Sequence, residues 1–76
     1  MKSLIEFLAC SLVEDREAVR VRESRGARET HIELRVSPQE TGKVIGKQGR
    51  TARAMRTLLD VGARKVGKRF TLEILE

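Results

Sequence analysis

The sequence is poor in the residues from which most chemical sites are built. It has no Trp or Tyr, two Phe, one Cys, one His and one Pro among 76 residues. The single Cys10 excludes an internal disulfide framework and is typical of a reducing compartment, so we expect a cytoplasmic protein. With so few His and Cys there is no metal-binding cluster or Ser-His-acid set to recognise, so neither an enzyme nor a cofactor is expected.

The shortage of aromatic residues narrows the possible binding modes as well. Phe7 and Phe70 both follow apolar-face spacing, so folds that stack RNA bases on exposed rings are disfavoured. A nucleotide-binding P-loop is excluded because only three residues separate Gly42 from Gly46, where that motif needs four. His31 falls on the polar side of an alternating stretch, where a surface residue is about ten times commoner than a catalyst.

Long apolar runs are missing too. The opening stretch, residues 1–13, contains Glu6 and is too short for a bilayer span, so neither a signal peptide nor a membrane partner is expected. A chain of this length buries only roughly 60% of its unfolded surface. We therefore expect one small domain, residues 1–76, to which a dimer partner would add stability.

Positive charge is concentrated in one third of the chain. The net charge is +5, and residues 42–69 carry nine Lys or Arg against the single Asp60. Such a field favours a polyanionic partner. The alternative is a solvated basic surface that only keeps the protein soluble.

Hydrophobic spacing predicts six elements in the order helix, strand, strand, helix, helix, strand. Apolar side chains recur at helical intervals from Lys2 to about Val13, and Ser3 with Glu6 resembles a capping box. From Ala18 the period becomes two, which predicts a strand near residues 19–22, a turn at 25–28 and a strand near 32–36. A last strand follows at residues 70–75. The order indicates an α+β fold, with three helices on one face of a three-stranded sheet.

The middle of the chain predicts a short helix followed by a glycine-bounded loop. Ser37 and Pro38 form a helix start, with Glu40 three residues after the cap. Gly46 and Gly49 interrupt this helix, so it is short.

A longer helix is predicted from near Arg50 to about Lys65, with Gly67 as a left-handed cap. Gly62 lies inside it and leaves the position of its end open.

The loop has the composition that gripping a phosphodiester backbone requires. Glycines at 46 and 49 allow a sharp turn and a close approach by another backbone. We expect the amides of Gly49, Arg50 and Thr51 to be unpaired donors at a helix start, which is an anion site. Lys47 and Arg50 add full charges there. Two glycines spaced three apart are a weak signal alone, and their place before a basic helix makes the signal strong.

The helix after the loop supports this interpretation. At 100° per residue Arg50, Arg53 and Arg56 fall on one stripe, while the apolar residues fall on another. Asp60 lies one turn beyond Arg56 and is positioned to pair with it. The alternative is an ordinary solvated helix face.

Residues 32–38, IELRVSP, and 42–52, GKVIGKQGRTA, together resemble a KH domain of the type II order, and most closely the small bacterial KhpA (YlqC-like) family. The similarity covers nearly the whole chain and departs from the family around residues 62–67. It implies a groove that holds about four nucleotides of single-stranded RNA. The positions that it implies for RNA contact are Lys43, Val44, Ile45, Gly46, Lys47, Gln48, Gly49, Arg50 and Arg53. Ile32, Leu34 and Val36 form either the other wall of this groove or the core beneath.

The resemblance also implies partners and a biological setting. It suggests a homodimer, or a heterodimer with a larger Jag-type KH protein. The implied roles are RNA chaperoning, post-transcriptional regulation and an influence on cell shape. Two other hypotheses stay open: a helix-turn-helix-like protein that binds duplex DNA, and a protein–protein adaptor whose basic stretch meets an acidic partner.

Overall fold

Residues 1–75, which are the part of the chain that the computed structural model describes, form three α-helices and three strands in the predicted order. The elements are α1 (Lys2–Leu12), β1 (Arg20–Arg25), β2 (Glu29–Arg35), α2 (Thr41–Ile45), α3 (Arg50–Val66) and β3 (Arg69–Leu75). Single 3₁₀ turns at Arg16–Ala18, Pro38–Glu40 and Lys47–Gly49 lie between them. In this part of the chain, every helix is too short or too polar to span a lipid bilayer.

The sheet has the order β1-β2-β3, with β1 antiparallel and β3 parallel to the central β2. A hairpin joins β1 to β2, and the Gly26 amide donates to the Glu29 carbonyl across it at 2.7 Å. The parallel pair needs a long crossover, which α2 and α3 supply. The segment between α2 and α3 therefore lies in the layer of helices that covers one face of the sheet.

Alternation along β2 divides the sheet into a buried and an open face. Thr30, Ile32 and Leu34 are almost completely buried, while His31 and Glu33 between them are half-buried. Ile32, Leu34 and Val36 are 0%, 0% and 3% exposed and belong to the core. The structure thus decides between the two places predicted for these three residues: they lie under the helices and form no groove wall.

One core joins all the elements. α1 contributes Ile5 and Ala9, and α3 contributes Met55 and Leu59. The remaining buried apolar members are Val13, Ile32, Leu34, Val36, Val44 and Leu72.

The start of α1 differs from the prediction. Met1 occupies the N-cap position, and no side chain caps the helix. Ser3 lies inside the first turn, whereas a capping residue needs a non-helical backbone. The predicted capping box of Ser3 and Glu6 was therefore wrong. The helix ends at Leu12, and Val13 turns to extended backbone with its side chain buried.

α3 runs without a break through Gly62 to Val66, so the doubt about where this helix ends is resolved. Gly67 follows it in the left-handed region with φ 67°, as the sequence predicted. Gly62 has a close neighbour. The methyl group of Met1 lies where a Cβ at Gly62 would stand.

We expect alanine to have opposite effects on the free energy of unfolding at Gly62 and at Gly67. Gly62→Ala should raise the free energy of unfolding by about 0.5–1 kcal/mol, because alanine favours a helix and the half-exposed Met1 side chain can move aside. Gly67→Ala should lower it by about 1–2 kcal/mol, because a Cβ is disfavoured at positive φ. Urea unfolding followed by circular dichroism measures both. A loss of stability in Gly62→Ala would show instead that the Met1 contact is rigid.

Candidate nucleic-acid interface

The reversal between α2 and α3 depends on Gly46. Its amide donates to the Gly42 carbonyl at 2.8 Å and closes α2, and its backbone then leaves the helix with φ 78° and ψ 168°. A Cβ at this position would overlap the side chain of Thr51 and lie 2.8 Å from the Thr51 nitrogen. Real Cβ atoms do not approach backbone so closely. Glycine is therefore required here both by space and by φ.

The two residues that follow Lys47 are left-handed. Gln48 has φ 57° and Gly49 has φ 73°. A non-glycine residue in this region costs on the order of 1 kcal/mol and is commonly found at functional sites. A Cβ on Gly49 would meet nothing within 4 Å. The surface at Gly49 is thus open to another molecule, in contrast to the tight packing at Gly46.

The prediction that the first amides of α3 are unpaired donors was partly wrong. The Gly49 amide donates to the Gly46 carbonyl at 3.0 Å, and the Arg50 amide donates to the Lys47 carbonyl. These bonds form because a 3₁₀ turn at Lys47–Gly49 precedes α3. The first amides of a helical turn have no partner within it, so the amides that this turn leaves without a helical partner are those of Lys47 and Gln48.

Three predicted cations surround this loop. Lys47, Arg50 and Arg53 are exposed, and among residues 1–75 no carboxylate lies within 4.0 Å of their charged groups. Their positive charge is therefore not neutralised by the described part of the fold.

The side chain of Arg56 has a different partner from the one predicted. Its Nε and a terminal nitrogen donate to the Leu72 carbonyl at 3.4 and 3.3 Å. Within the described residues it forms no ion pair with Asp60, so that expectation was wrong. Arg56 ties α3 to β3, one of the two edge strands of the sheet.

The short helix α2 presents one side chain and buries another. Ile45 is 37% exposed beside the loop, whereas Val44 is fully buried in the core. The resemblance implied that Val44 lines the groove. In the structure it is a member of the core and packs α2 onto the fold. Lys43 is half-exposed on the same helix.

A second cluster lies on the open face of the sheet. His31 Nε2 is 3.3 Å from a Glu73 carboxylate oxygen and 3.7 Å from one of Glu33, and His31 Nδ1 is 2.7 Å from the Thr71 hydroxyl. The alternation of β2 predicts His31 and Glu33 on one face. Glu73 and Thr71 join them through the parallel register of β2 and β3, which periodicity alone does not give.

Comparisons with known proteins identify the family of this chain. The sequence model of the family described as KhpA/KhpB, KH domain, matches residues 2–74. The chain belongs to this family. It is 55% identical to the RNA-binding protein KhpA of Aquifex aeolicus, over 100% of this chain and 96% of that protein. It is 48% identical to the RNA-binding protein KhpA of Clostridium perfringens, over 99% and 100% of the two chains, and 46% identical to that of Halalkalibacterium halodurans, over 100% of both.

The loop of this KH domain is connected to the rest of the fold through Glu40. One Glu40 carboxylate oxygen accepts from the Glu14 amide at 2.7 Å and from Lys43 Nζ at 3.0 Å, and the other accepts from the Asp15 amide at 3.0 Å. Ser37 occupies the N-cap position of the Pro38–Glu40 turn, as the sequence predicted, but its side chain forms no capping bond. The Glu40 carboxylate turns to the chain after α1.

These bonds change the ionisation of both side chains. The hydrogen bonds from the Glu14 and Asp15 amides, followed by that from Lys43, lower the pKa of Glu40 from 4.5 to about 2. The same contact with Glu40 raises the pKa of Lys43. Each charged form is thus favoured by the fold, and the Lys43 ammonium is held at the base of α2.

The lowered pKa of Glu40 predicts that the protein loses stability as the pH becomes acidic. A carboxyl whose pKa falls on folding stabilises the native state above about pH 4.5, and this contribution disappears as the pH falls towards about 2. Glu40→Gln should therefore be less stable than the parent at pH 7, and the difference should shrink as the pH is lowered through that range. Urea unfolding of both proteins between pH 7 and pH 3 measures it. A difference that is independent of pH would contradict the assignment.

Proposed function

We propose that this KH domain binds single-stranded RNA and holds the sugar–phosphate backbone against the loop of residues 46–49. The observation that carries the proposal is the open backbone at Gly49, in a left-handed turn between cations that have no carboxylate partner among the described residues. The relatives named above are RNA-binding proteins by name. Binding without a chemical step is the activity proposed.

Each residue around the loop has a distinct role in this proposal. Gly46 sets the reversal, and Gly49 lets the RNA backbone come close. Lys47 and Arg50 supply charge to the phosphates, together with the outward amides of the turn. Ile45 offers an exposed aliphatic surface to a base.

Two further cations lie at the edges of the groove. Arg53 is one turn of α3 beyond the loop and flanks it. Lys43 is held by Glu40 at 3.0 Å, so it reaches a phosphate only by giving up that ion pair. Its contribution to affinity is therefore smaller than that of Lys47.

A helix-turn-helix on duplex DNA has no observation in its favour. α2 has five residues, which is little more than one turn, and it leads into the loop instead of crossing a DNA backbone.

Reversing the charge of the loop should abolish RNA binding and leave the fold intact. In the variant with Lys47→Asp and Gln48→Asp, carboxylates would face the phosphates, and Asp tolerates the left-handed backbone at position 48 well. Affinity for an unstructured RNA of about eight nucleotides should fall below detection in fluorescence anisotropy, while circular dichroism stays unchanged.

A control separates this local effect from the change in net charge. Lys2→Asp with Ser11→Asp makes the same charge change on exposed positions of α1 and should bind RNA much more strongly than the loop variant. Equal losses in both variants would contradict the proposed site. A parent protein that prefers duplex DNA to single-stranded RNA would contradict the proposed ligand.

We also propose that the domain pairs with a second KH domain through the outer face of α3, either in a homodimer or with a larger Jag-type KH protein. Leu58 and Val61 are 46% and 48% exposed, one turn apart, on a helix whose other face is in the core. Neighbouring aliphatic side chains of this kind favour burial against a partner. Val66, further along α3, is 60% exposed.

Val61→Asp tests this surface. A carboxylate in an apolar contact is costly to bury, so the variant should sediment as a monomer at concentrations where the parent forms a dimer. Glu6→Asp on α1 is a neutral control that should behave like the parent. Identical sedimentation of the parent and Val61→Asp at every concentration would reject pairing of two copies through α3.

A further inference from the structure

The open face of the sheet contains a second basic region, which the proposed loop site does not use. A concavity of about 370 Å³ lies at one end of this face. Its lining residues are Arg20, Val21, Arg22, Glu33, Arg35 and Leu75. Three arginines and one carboxylate therefore share a small, open surface.

The arrangement of these arginines is unfavourable without a partner. Arg20 and Arg35 are directly opposite in the β1–β2 register, and like charges in this relation destabilise a sheet. Across residues 1–75, no carboxylate lies within 4.0 Å of the guanidinium groups of Arg20, Arg22 or Arg35.

The carboxylate in the concavity forms no ion pair with these arginines. Glu33 is opposite Arg22 in the register, but a Glu33 oxygen lies 3.7 Å from His31 Nε2 and forms no ion pair with Arg22. Arg20 is held in place by bonds from its guanidinium to the carbonyls of Glu17 and Val19. The concavity is thus a basic surface, with one of its three arginines held in place, that an anionic ligand would complement.

We propose that this concavity binds a second segment of the same RNA strand through its phosphates. The inference rests on the proposed RNA-binding function. Guanidinium groups match phosphate oxygens in charge and in hydrogen-bond geometry. A single-stranded RNA that already lies on the loop brings its next phosphates near the protein at high effective concentration.

The two sites lie on opposite faces, which sets the length of RNA that can reach both. The loop of residues 46–49 belongs to the helical layer, and the concavity lies on the face of the sheet that the helices leave open. The molecule is 18 Å across along its shortest axis. About four nucleotides occupy a KH groove, so only an RNA several nucleotides longer passes around the sheet to the arginines.

The test measures the binding of RNAs of two lengths to two double variants. The concavity variant is Arg22→Gln with Arg35→Gln. The matched control is Arg16→Gln with Arg28→Gln, which removes the same charge from exposed residues outside the concavity. Affinity is measured for unstructured RNAs of about five and about 20 nucleotides over a range of salt concentrations. Circular dichroism verifies the fold of each protein.

The expected result is a loss that depends on RNA length. For the longer RNA, the concavity variant should bind at least about tenfold more weakly than the control, and the slope of log K against log salt should fall by about 1.4, or about 0.7 for each phosphate contact on a single strand. For the shorter RNA, the two proteins should bind alike. Equal affinities for the longer RNA, or equal losses for both lengths, would overturn the proposal.

The loop variant distinguishes this inference from the proposed function. If Lys47→Asp with Gln48→Asp abolishes binding of the shorter RNA while the concavity variant does not, the loop site stands whatever the arginines do. If the loop variant binds both RNAs like the parent, the proposed loop site fails, and a loss of binding at both lengths in the concavity variant would then identify the sheet face as the RNA site.

Discussion

The close approach of Gly46 to Thr51 is the contact on which the candidate site depends. α2 must end and α3 must begin within a few residues, and the chain reverses there because position 46 carries no side chain. A Cβ would overlap Thr51 and also disfavour the positive φ. The left-handed conformations of Gln48 and Gly49 follow this reversal in the chain, and a Cβ at Gly49 would meet nothing within 4 Å. The proposed binding surface therefore depends on one packed glycine.

The two helices that flank the loop are anchored by residues outside the loop itself. Val44 fixes α2 in the core, Glu40 ties the start of α2 to the chain after α1, and Arg56 ties α3 to the edge of the sheet. A site supported in this way meets its ligand with little loss of conformational freedom. The exposed cations of the loop then act from a fixed frame, and the ion pair with Glu40 keeps Lys43 apart from them.

The sequence predicts features that depend on neighbouring residues better than contacts between residues far apart in the chain. The change of period from helix to strand and the glycine pair identified the order of elements and the loop, because each depends on a few neighbouring residues. Gly67 was identified as a left-handed cap in the same way, whereas Gly62 left the end of α3 open. The partner of Glu40 could not be predicted in this way, since the Glu14 amide lies 26 residues earlier in the chain. Arg56 was assigned to a neighbour on its own helix and instead reaches β3. The 3₁₀ turn before α3 was also missed, so the amides without a helical partner were placed two residues too late.

Backbone amide chemical shifts during an RNA titration test the central claim most directly. If the reversal at Gly46 presents the RNA-binding surface, a short single-stranded RNA should shift the amide signals of Lys47, Gln48 and Gly49 most, with smaller changes at Ile45 and Arg53. Signals of the buried sheet residues should stay in place. Saturable binding that leaves the three loop amides unchanged and shifts residues elsewhere would contradict the account.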